Sequence, residues 1–206
     1  GPTQEAIDPV RYIGNRSSGK MGFALAEEAA LRGAIVELIT GPVALRTSAT
    51  GIERIDVTSA SEMSAACKAR FTGCDAAIMS AAVADWRPVA VADEKMKKSS
   101  AVESLPLEAT EDILAWMGDA KQKQKVVGFA LETTDELRNA EGKLTKKKLD
   151  LLVLNSLKDE GAGFGHDTNK VTLLAPGTKP EQLPLMSKAQ VAAAILDRLE
   201  TLFPDA

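Results

Sequence analysis

The stretch N-R-S-S-G-K-M-G, Asn15 to Gly22, constrains the fold of this chain more than any other. An alanine-rich run follows it directly, so it reads as a tight loop turning into a helix. Ser17 and Ser18 offer hydroxyls and an N-cap. Gly19 and Gly22 let the backbone approach whatever lies over the helix start. Unpaired N–H groups of that first turn, with the helix dipole, favour an anion such as a phosphate. Asn15 stands a turn earlier and can both donate and accept. The same residues also describe an ordinary capped helix with glycine for packing, and spacing alone does not choose between the two. A Walker loop requires G-x-x-x-x-G-K-[ST], whereas Gly14, Gly19 and Lys20 are followed here by Met21. Only the second half of a dinucleotide fingerprint is present, at Gly19 and Gly22.

Around this loop the chain alternates helix and strand. Thr3 to Gly14 reads as a loop anchored by Ile7, Val10 and Ile13. Gly19 to Arg32 is a helix closed by Gly33. Strands are expected at Ile35–Ile39, Ile52–Val57 and Ala76–Met79, the last buried on both faces. A helix begins at Ser61 and Glu62 and carries Met63, Ala66, Cys67 and Phe71. Further on come a helical run at Glu111–Met117, a buried strand at Val126–Leu131 and a polar-faced helix at Asp135–Lys148. Strands at Leu151–Leu154 and Val171–Ala175 follow, then a last helix capped by Ser187. Such short units imply an α/β fold: a Rossmann-like, doubly wound, mostly parallel sheet flanked by helices. Val89–Leu105 departs from the core pattern and reads as linker-like, a mobile lysine-rich flap. A phosphate loop normally follows a strand, yet Gly1-Pro2-Thr3 is loop chemistry; the expectation is a first strand trimmed to a stub, or an excised piece.

Composition excludes several classes. A chain of 206 residues with 45% hydrophobic and 26% charged residues suits one globular domain. Its net charge of −4 supports no general attraction to nucleic acid. No apolar run is long enough for a membrane span, and no signal-peptide pattern is present. Cys67 and Cys74 lack metal-ligand spacing and read as buried or incidental thiols of a reducing cytoplasm. The one histidine, His166, supports neither a serine triad nor a multi-histidine metal site by itself.

Three stretches carry chemistry at the carboxyl ends of expected strands, where ligands collect in such sheets. The first is Asn15–Gly22. The second is Met79-Ser80-Ala81-Ala82-Val83-Ala84-Asp85-Trp86, whose small residues let a planar group lie against the backbone. Asp85 there suits a ribose hydroxyl, a base amine or a metal-bound water, or simply starts a turn. The third is Asp93–Ser100, with Lys95, Lys97 and Lys98, either a solvated charged loop or a lid presenting a lysine to phosphates. Lys143 and Lys147 share a helix face. The strand ending Ile39-Thr40-Gly41 lacks the acid that an NAD(P) oxidoreductase needs. The inventory suits phosphoryl or nucleotidyl chemistry, in which positioning and charge stabilisation supply the rate. An NAD(P)-binding oxidoreductase and a non-catalytic nucleotide-binding or assembly domain are the competing classes.

At these residues the chain resembles the phosphopantothenoylcysteine synthetase family, the ligases of coenzyme A biosynthesis, in the bacterial form that follows a flavin-dependent decarboxylase in one polypeptide. The matching stretches are G-P-T-Q-E-A-I-D-P-V-R (Gly1–Arg11), I-G-N-R-S-S-G-K-M-G (Ile13–Gly22), A-A-V-A-D-W (Ala81–Trp86) and E-K-M-K-K (Glu94–Lys98). V-G-F-A-L-E-T (Val127–Thr133), K-K-L-D (Lys147–Asp150), the strand end at Asn155 and D-T-N-K-V (Asp167–Val171) follow in family order. The resemblance implies that CTP, with Mg²⁺, activates 4′-phosphopantothenate as an acyl-cytidylate, and that the amine of L-cysteine then displaces CMP. It implies catalytic roles for Asn15, Lys95 and Ala82. It places CTP against Ser17, Ser18, Gly19, Met79, Ser80, Ala81, Asp85, Lys95, Glu111, Asp112, Ile113, Leu114, Phe129, Lys143 and Lys147, and leaves the metal ligands unknown. A homodimer in the cytoplasm is implied, with no flavin on this segment and no nucleic-acid or membrane partner. The family often has Asn-Pro or Thr-Pro before Asp-Ile-Val/Leu; here the residues are Thr110-Glu111-Asp112-Ile113-Leu114.

Overall fold

Val126 and Val127 are adjacent in sequence and both fully buried, as in a strand covered on both faces. The computed structural model, which describes residues 1–97, 104–132, 134–156 and 166–203, supplies the two covers. The chain opens with hairpin strands β1 (Gln4–Ala6) and β2 (Tyr12–Gly14), then helix α1 (Lys20–Leu31), strands β3 (Val36–Thr40) and β4 (Ile52–Asp56), α2 (Ala60–Phe71) and β5 (Ala76–Met79). A second hairpin, β6 (Trp86–Pro88) and β7 (Leu107–Ala109), precedes α3 (Ile113–Ala120), β8 (Lys125–Glu132), α4 (Glu136–Lys146) and β9 (Leu151–Ser156). Short strands β10 (Thr168–Asn169), β11 (Val171–Leu174), β12 (Glu181–Gln182) and β13 (Met186–Ser187) lead into α5 (Lys188–Glu200).

The main sheet has the order β12-β11-β9-β8-β5. β5, β8 and β9 are parallel, and β11 and β12 are antiparallel at one edge. Alternation sorts its side chains into two cores. Val126, Ala130, Leu152 and Leu154 pack with Met63, Cys67 and Phe71 of α2, Ile113 and Met117 of α3, and Ala140 and Leu144 of α4. Val127, Leu151 and Val153 pack on the other face with Leu25 of α1 and Val191, Ile195 and Leu199 of α5. This is the expected α/β fold, mostly parallel at its centre with helices on both faces. Ser187 caps α5 as expected, through a full capping box with Gln190.

Three local expectations differ from the structure. Thr3–Gly14 is not a loop but the β1–β2 hairpin, in register Gln4 opposite Gly14. Asp8 makes its turn, with Oδ1 accepting from the N–H groups of Val10 and Arg11 at 2.9 Å each, and Val10 is 61% exposed rather than an anchor. The serines do not cap α1: Gly19 is its N-cap, left-handed at φ 79°, with no side-chain cap bond. The linker-like segment Val89–Leu105, of which residues 98–103 lie outside the described residues, is flanked by the paired strands β6 and β7.

Strand β5, expected to be buried on both faces, is half-buried along its length. β3 hydrogen-bonds to β4 and not to β5. A cleft of about 710 Å³, lined by Val36, Leu38, Ala77 and Met79 among others, runs between β3 and β5. Gly1–Thr3 sits at its end: Ala82 N–H donates to the Gly1 carbonyl and Thr3 N–H to the Ala82 carbonyl, each at 3.2 Å. Among the described residues no helix is long and apolar enough to cross a membrane.

Candidate functional site

The loop after β5 is pinned from three sides by side chains distant in sequence. The buried Thr3 hydroxyl accepts from Ala84 N–H at 2.9 Å, and the Thr110 hydroxyl donates to the Ala84 carbonyl at 2.6 Å. Asn15 completes the arrangement, its amide donating to the carbonyls of Ala82 at 3.0 Å and Val83 at 3.3 Å. Two stretches singled out in the sequence, Asn15–Gly22 and Met79–Trp86, therefore meet at the carboxyl end of β5. A methyl at Gly22 would stand 3.0 Å from the Ser80 hydroxyl, so the first turn of α1 packs closely on the same loop.

The start of α1 suits an anion. Its first turn holds no acidic residue to offset the positive end of the dipole. The left-handed Gly19 turns the loop into the helix without a Cβ to obstruct approach. Ser17 accepts from Gly19 N–H at 3.3 Å, and Ser18 is half-buried beside it. Lys20, not singled out from the sequence, forms a 2.6 Å ion pair with Asp167. The lysine bond holds the Asp167 carboxyl below its ordinary pKa. Lys188 stands next to this pair, donating to the His166 carbonyl, with its pKa lowered by burial and then by the Lys20 charge. The signal for Lys20 and Asp167 was present in G-K-M-G and D-T-N-K-V, but nothing in spacing joins motifs so far apart.

The remaining expected residues divide. Asp112 caps α3, accepting from Ala115 N–H at 2.9 Å, and pairs with Lys147 at 2.8 Å. Burial raises the Asp112 pKa, but the bonds from Lys147 and Ala115 outweigh it and leave the carboxyl below its ordinary value. Lys143 pairs with Glu132, the last residue of β8, at 2.6 Å. Both lysines thus reach from α4 to the edge where the parallel strands end, each held by a carboxylate. Ile113 is buried and Leu114 half-buried against Gly128. Phe129 and Met79 are partly buried on opposite faces of the sheet. Glu111 turns to α2, accepting from Ser64 at 2.6 Å and from Lys68. Asn155 Oδ1, at the end of β9, is buried without a hydrogen-bond partner among the described residues.

Among the described residues no hydrogen bond or ion pair joins Lys95 to Asn15. Lys95 is exposed, next to Met96, which is bonded to Asp8 and Arg11 at the turn of the β1–β2 hairpin. Asn15 follows β2 at the hairpin's other end. Lys98, Ser99 and Ser100 lie outside the described residues. Asp85 is exposed on the pinned loop, with its carbonyl accepting from Thr110 N–H at 3.0 Å. Among the described residues no group of three His, Cys, Asp or Glu could hold a metal ion. The exposed Asp85 carboxylate on the pinned loop is an oxygen donor of the type Mg²⁺ takes.

The family model described as "DNA/pantothenate metabolism flavoprotein C-terminal domain" matches residues 1–202. A relative from an unknown prokaryotic organism, named cysteine/cysteine sulfinic acid decarboxylase, is 52% identical over 98% of this chain and 56% of its own. The coenzyme A biosynthesis bifunctional protein CoaBC of Bacillus subtilis (strain 168) is 48% identical over 98% of this chain and 50% of its own. This chain thus spans about half the length of these curated relatives. A solved structure of the C-terminal domain of a CoaBC bifunctional protein superposes with a TM-score of 0.84 at 39% identity, covering 100% of this chain and 93% of that one.

Proposed function

The chain belongs to the DNA/pantothenate metabolism flavoprotein C-terminal domain family, and from that premise we propose that it is a phosphopantothenate–cysteine ligase of coenzyme A biosynthesis. The observation that carries this reading is the bond from Asn15 to Ala82, which seats the anion-binding start of α1 against the small-residue loop after β5. CTP is the activating nucleotide. Its phosphates lie over Ser17–Gly19, its base and ribose against Met79–Ala81 and Asp85, and Lys143 and Lys147 approach from α4. The neighbourhood of Glu111–Leu114 and Phe129 completes that site.

In the first step a carboxylate oxygen of 4′-phosphopantothenate attacks the α-phosphorus of CTP, and the bond to the bridging oxygen breaks to release pyrophosphate. In the second the amine nitrogen of L-cysteine attacks the activated carbonyl, loses a proton and expels CMP, leaving the amide. Asn15 and the backbone at Ala82 orient the acyl-cytidylate, and Lys95 offers positive charge to the phosphates. Mg²⁺, when bound through the triphosphate and Asp85, would neutralise charge on the leaving pyrophosphate. The 4′-phosphopantothenate and cysteine assignments, CTP over ATP, and a cytoplasmic setting all belong to this proposal. So does a flavin-dependent decarboxylase domain in the full-length protein. The decarboxylase name at 52% identity belongs to a protein of which this chain spans 56%.

The active form is a homodimer built on the two hairpins. Val10, Tyr12, Trp86, Val89, Val91 and Leu107 are all exposed there, an apolar surface of the kind a second copy covers. The decisive assay is pyrophosphate release from CTP in the presence and absence of 4′-phosphopantothenate, with ATP as comparator. Release that depends on the acid and on CTP is the expected result. Release independent of the acid, or none, overturns the ligase reading.

A further inference from the structure

We propose that the turn of the β1–β2 hairpin is a dock for the lysine segment, with Asp8 and Arg11 as positioning residues for Lys95; the catalytic part of this inference rests on the role given to Lys95 above. Asp8 is buried, and its two oxygens do different things. Oδ1 serves the turn itself, taking the N–H groups of Val10 and Arg11. Oδ2 takes the Arg11 guanidinium, with Nε at 2.9 Å, and also the Met96 N–H at 3.3 Å. Arg11 Nη2 in turn donates to the Met96 carbonyl at 3.3 Å. Both the N–H and the carbonyl of Met96, the residue after Lys95, are therefore gripped by one ion pair.

A hairpin turn closed by an aspartate needs only the Oδ1 bonds. The Oδ2 side of the pair serves a segment 85 to 88 residues away. A third tie, Ala92 N–H to the Ile7 carbonyl at 3.0 Å, fixes the same segment four residues earlier. The hairpin also carries the rest of the site: β1 follows Thr3, which holds Ala84, and β2 runs directly into Asn15. Lys95 and Asn15 are thus attached to the two ends of one short, paired element, and the dock sets where Lys95 stands relative to Asn15. Releasing a gripped peptide restores the conformational freedom of at least one residue, which corresponds to about a tenfold loss in any step that needs Lys95 in place.

The test uses Asp8→Asn, which keeps the shape and removes the charge that holds Arg11. Trypsin cleavage after Lys95 and Lys97 in the ligand-free protein should accelerate about tenfold. The single-turnover rate of acyl-cytidylate formation at saturating CTP should fall by a similar factor. Adding Lys95→Gln to Asp8→Asn should then cost no more than Lys95→Gln alone, a non-additivity that a general loss of stability would not produce. Arg11→Lys changes an exposed side chain, retains its charge and loses the fork, so it tests the same grip should Asp8→Asn fail to fold. Cleavage at the wild-type rate in both variants overturns the dock. Faster cleavage with fully additive rate effects overturns the positioning role. If the wild-type protein forms no acyl-cytidylate, the ligase reading falls, while the cleavage rates still decide the dock.

Discussion

The side-chain amide of Asn15 donates to the carbonyl oxygen of Ala82 at 3.0 Å, across 67 residues of sequence. A second carbonyl, of Val83, lies at 3.3 Å from the same nitrogen. The Asn15 position is therefore defined by two acceptors, and only a donor belongs there.

Asn15→Asp places a carboxylate against those two carbonyls and removes the donor. Thr3 and Thr110 still hold the loop at Ala84, so CTP attack proceeds, whereas orientation of the acyl-cytidylate loses its donor. Pyrophosphate release should persist for about one turnover while amide formation falls by roughly 100-fold or more, as for loss of an oxyanion donor. Rapid-quench measurement of both products checks this. Normal multiple-turnover amide synthesis by the variant would remove Asn15 from the mechanism.

Gly118→Ala should destabilise the protein and disturb Lys147 together. A methyl at Gly118 would stand 1.9 Å from the Lys147 carbonyl oxygen, so the end of α4 must shift away from α3. Overpacking of this kind costs about 1–3 kcal/mol. Gly142, in the middle of α4, meets nothing within 4 Å, so Gly142→Ala should stabilise by about 0.5–1 kcal/mol. Urea denaturation of the pair reads both signs, and Gly118→Ala alone should raise the CTP concentration needed for half-maximal rate.

The parallel core was legible in the sequence because runs such as Val126–Leu131 and Leu151–Leu154 are apolar on both faces and bounded by polar residues. The two hairpins were not. Their strands are three residues each and largely exposed, and what closes the first is a side-chain bond from Asp8 that no hydrophobic period reports. The N-cap of α1 was misplaced for a related reason: serine is the better cap by composition, but Gly19 alone takes the left-handed turn at φ 79°. Within the site, Asn15 and the Ala82 loop were readable as separate motifs, and their contact is a property of the fold. The Lys20–Asp167 pair likewise joins two readable motifs across 147 residues, and no local pattern reports the contact.

Neither thiol should react readily at neutral pH. Burial pushes the Cys67 pKa from 9.0 up to about 11, and burial raises that of Cys74 as well. Iodoacetamide at pH 8 should label Cys74, which is half-buried, before Cys67, which is buried, and both far more slowly than after unfolding. The native state holds the Cys67 proton where the unfolded state has lost it. Its contribution to stability is therefore full below pH 9 and declines as the pH rises towards 11. Rapid labelling of Cys67 in the folded protein at pH 8 would contradict its burial.

Asp112 should act as a competitor for Lys147, and removing its charge should make CTP easier to bind. The carboxylate holds the ammonium at 2.8 Å, and an incoming phosphate must take that ammonium away. The pair is partly exposed, so its strength is that of a screened surface ion pair, about 0.2–1 kcal/mol. That converts to a CTP requirement lowered about 1.5- to fivefold in Asp112→Asn. Asparagine remains a good N-cap, so α3 keeps its start and the comparison is not confounded by loss of the helix. The gain should shrink as salt rises, because the competing attraction is itself screened. It should be flat above about pH 5: the Asp112 carboxyl lies below its ordinary 3.8, so the pair is intact there and is lost only as the pH falls through that lowered value. Lys147→Gln should raise the CTP requirement, and the double variant should match Lys147→Gln alone, since a competitor has no effect once its target is gone. A higher CTP requirement in Asp112→Asn would instead make the Asp112 carboxylate a direct contact of the nucleotide.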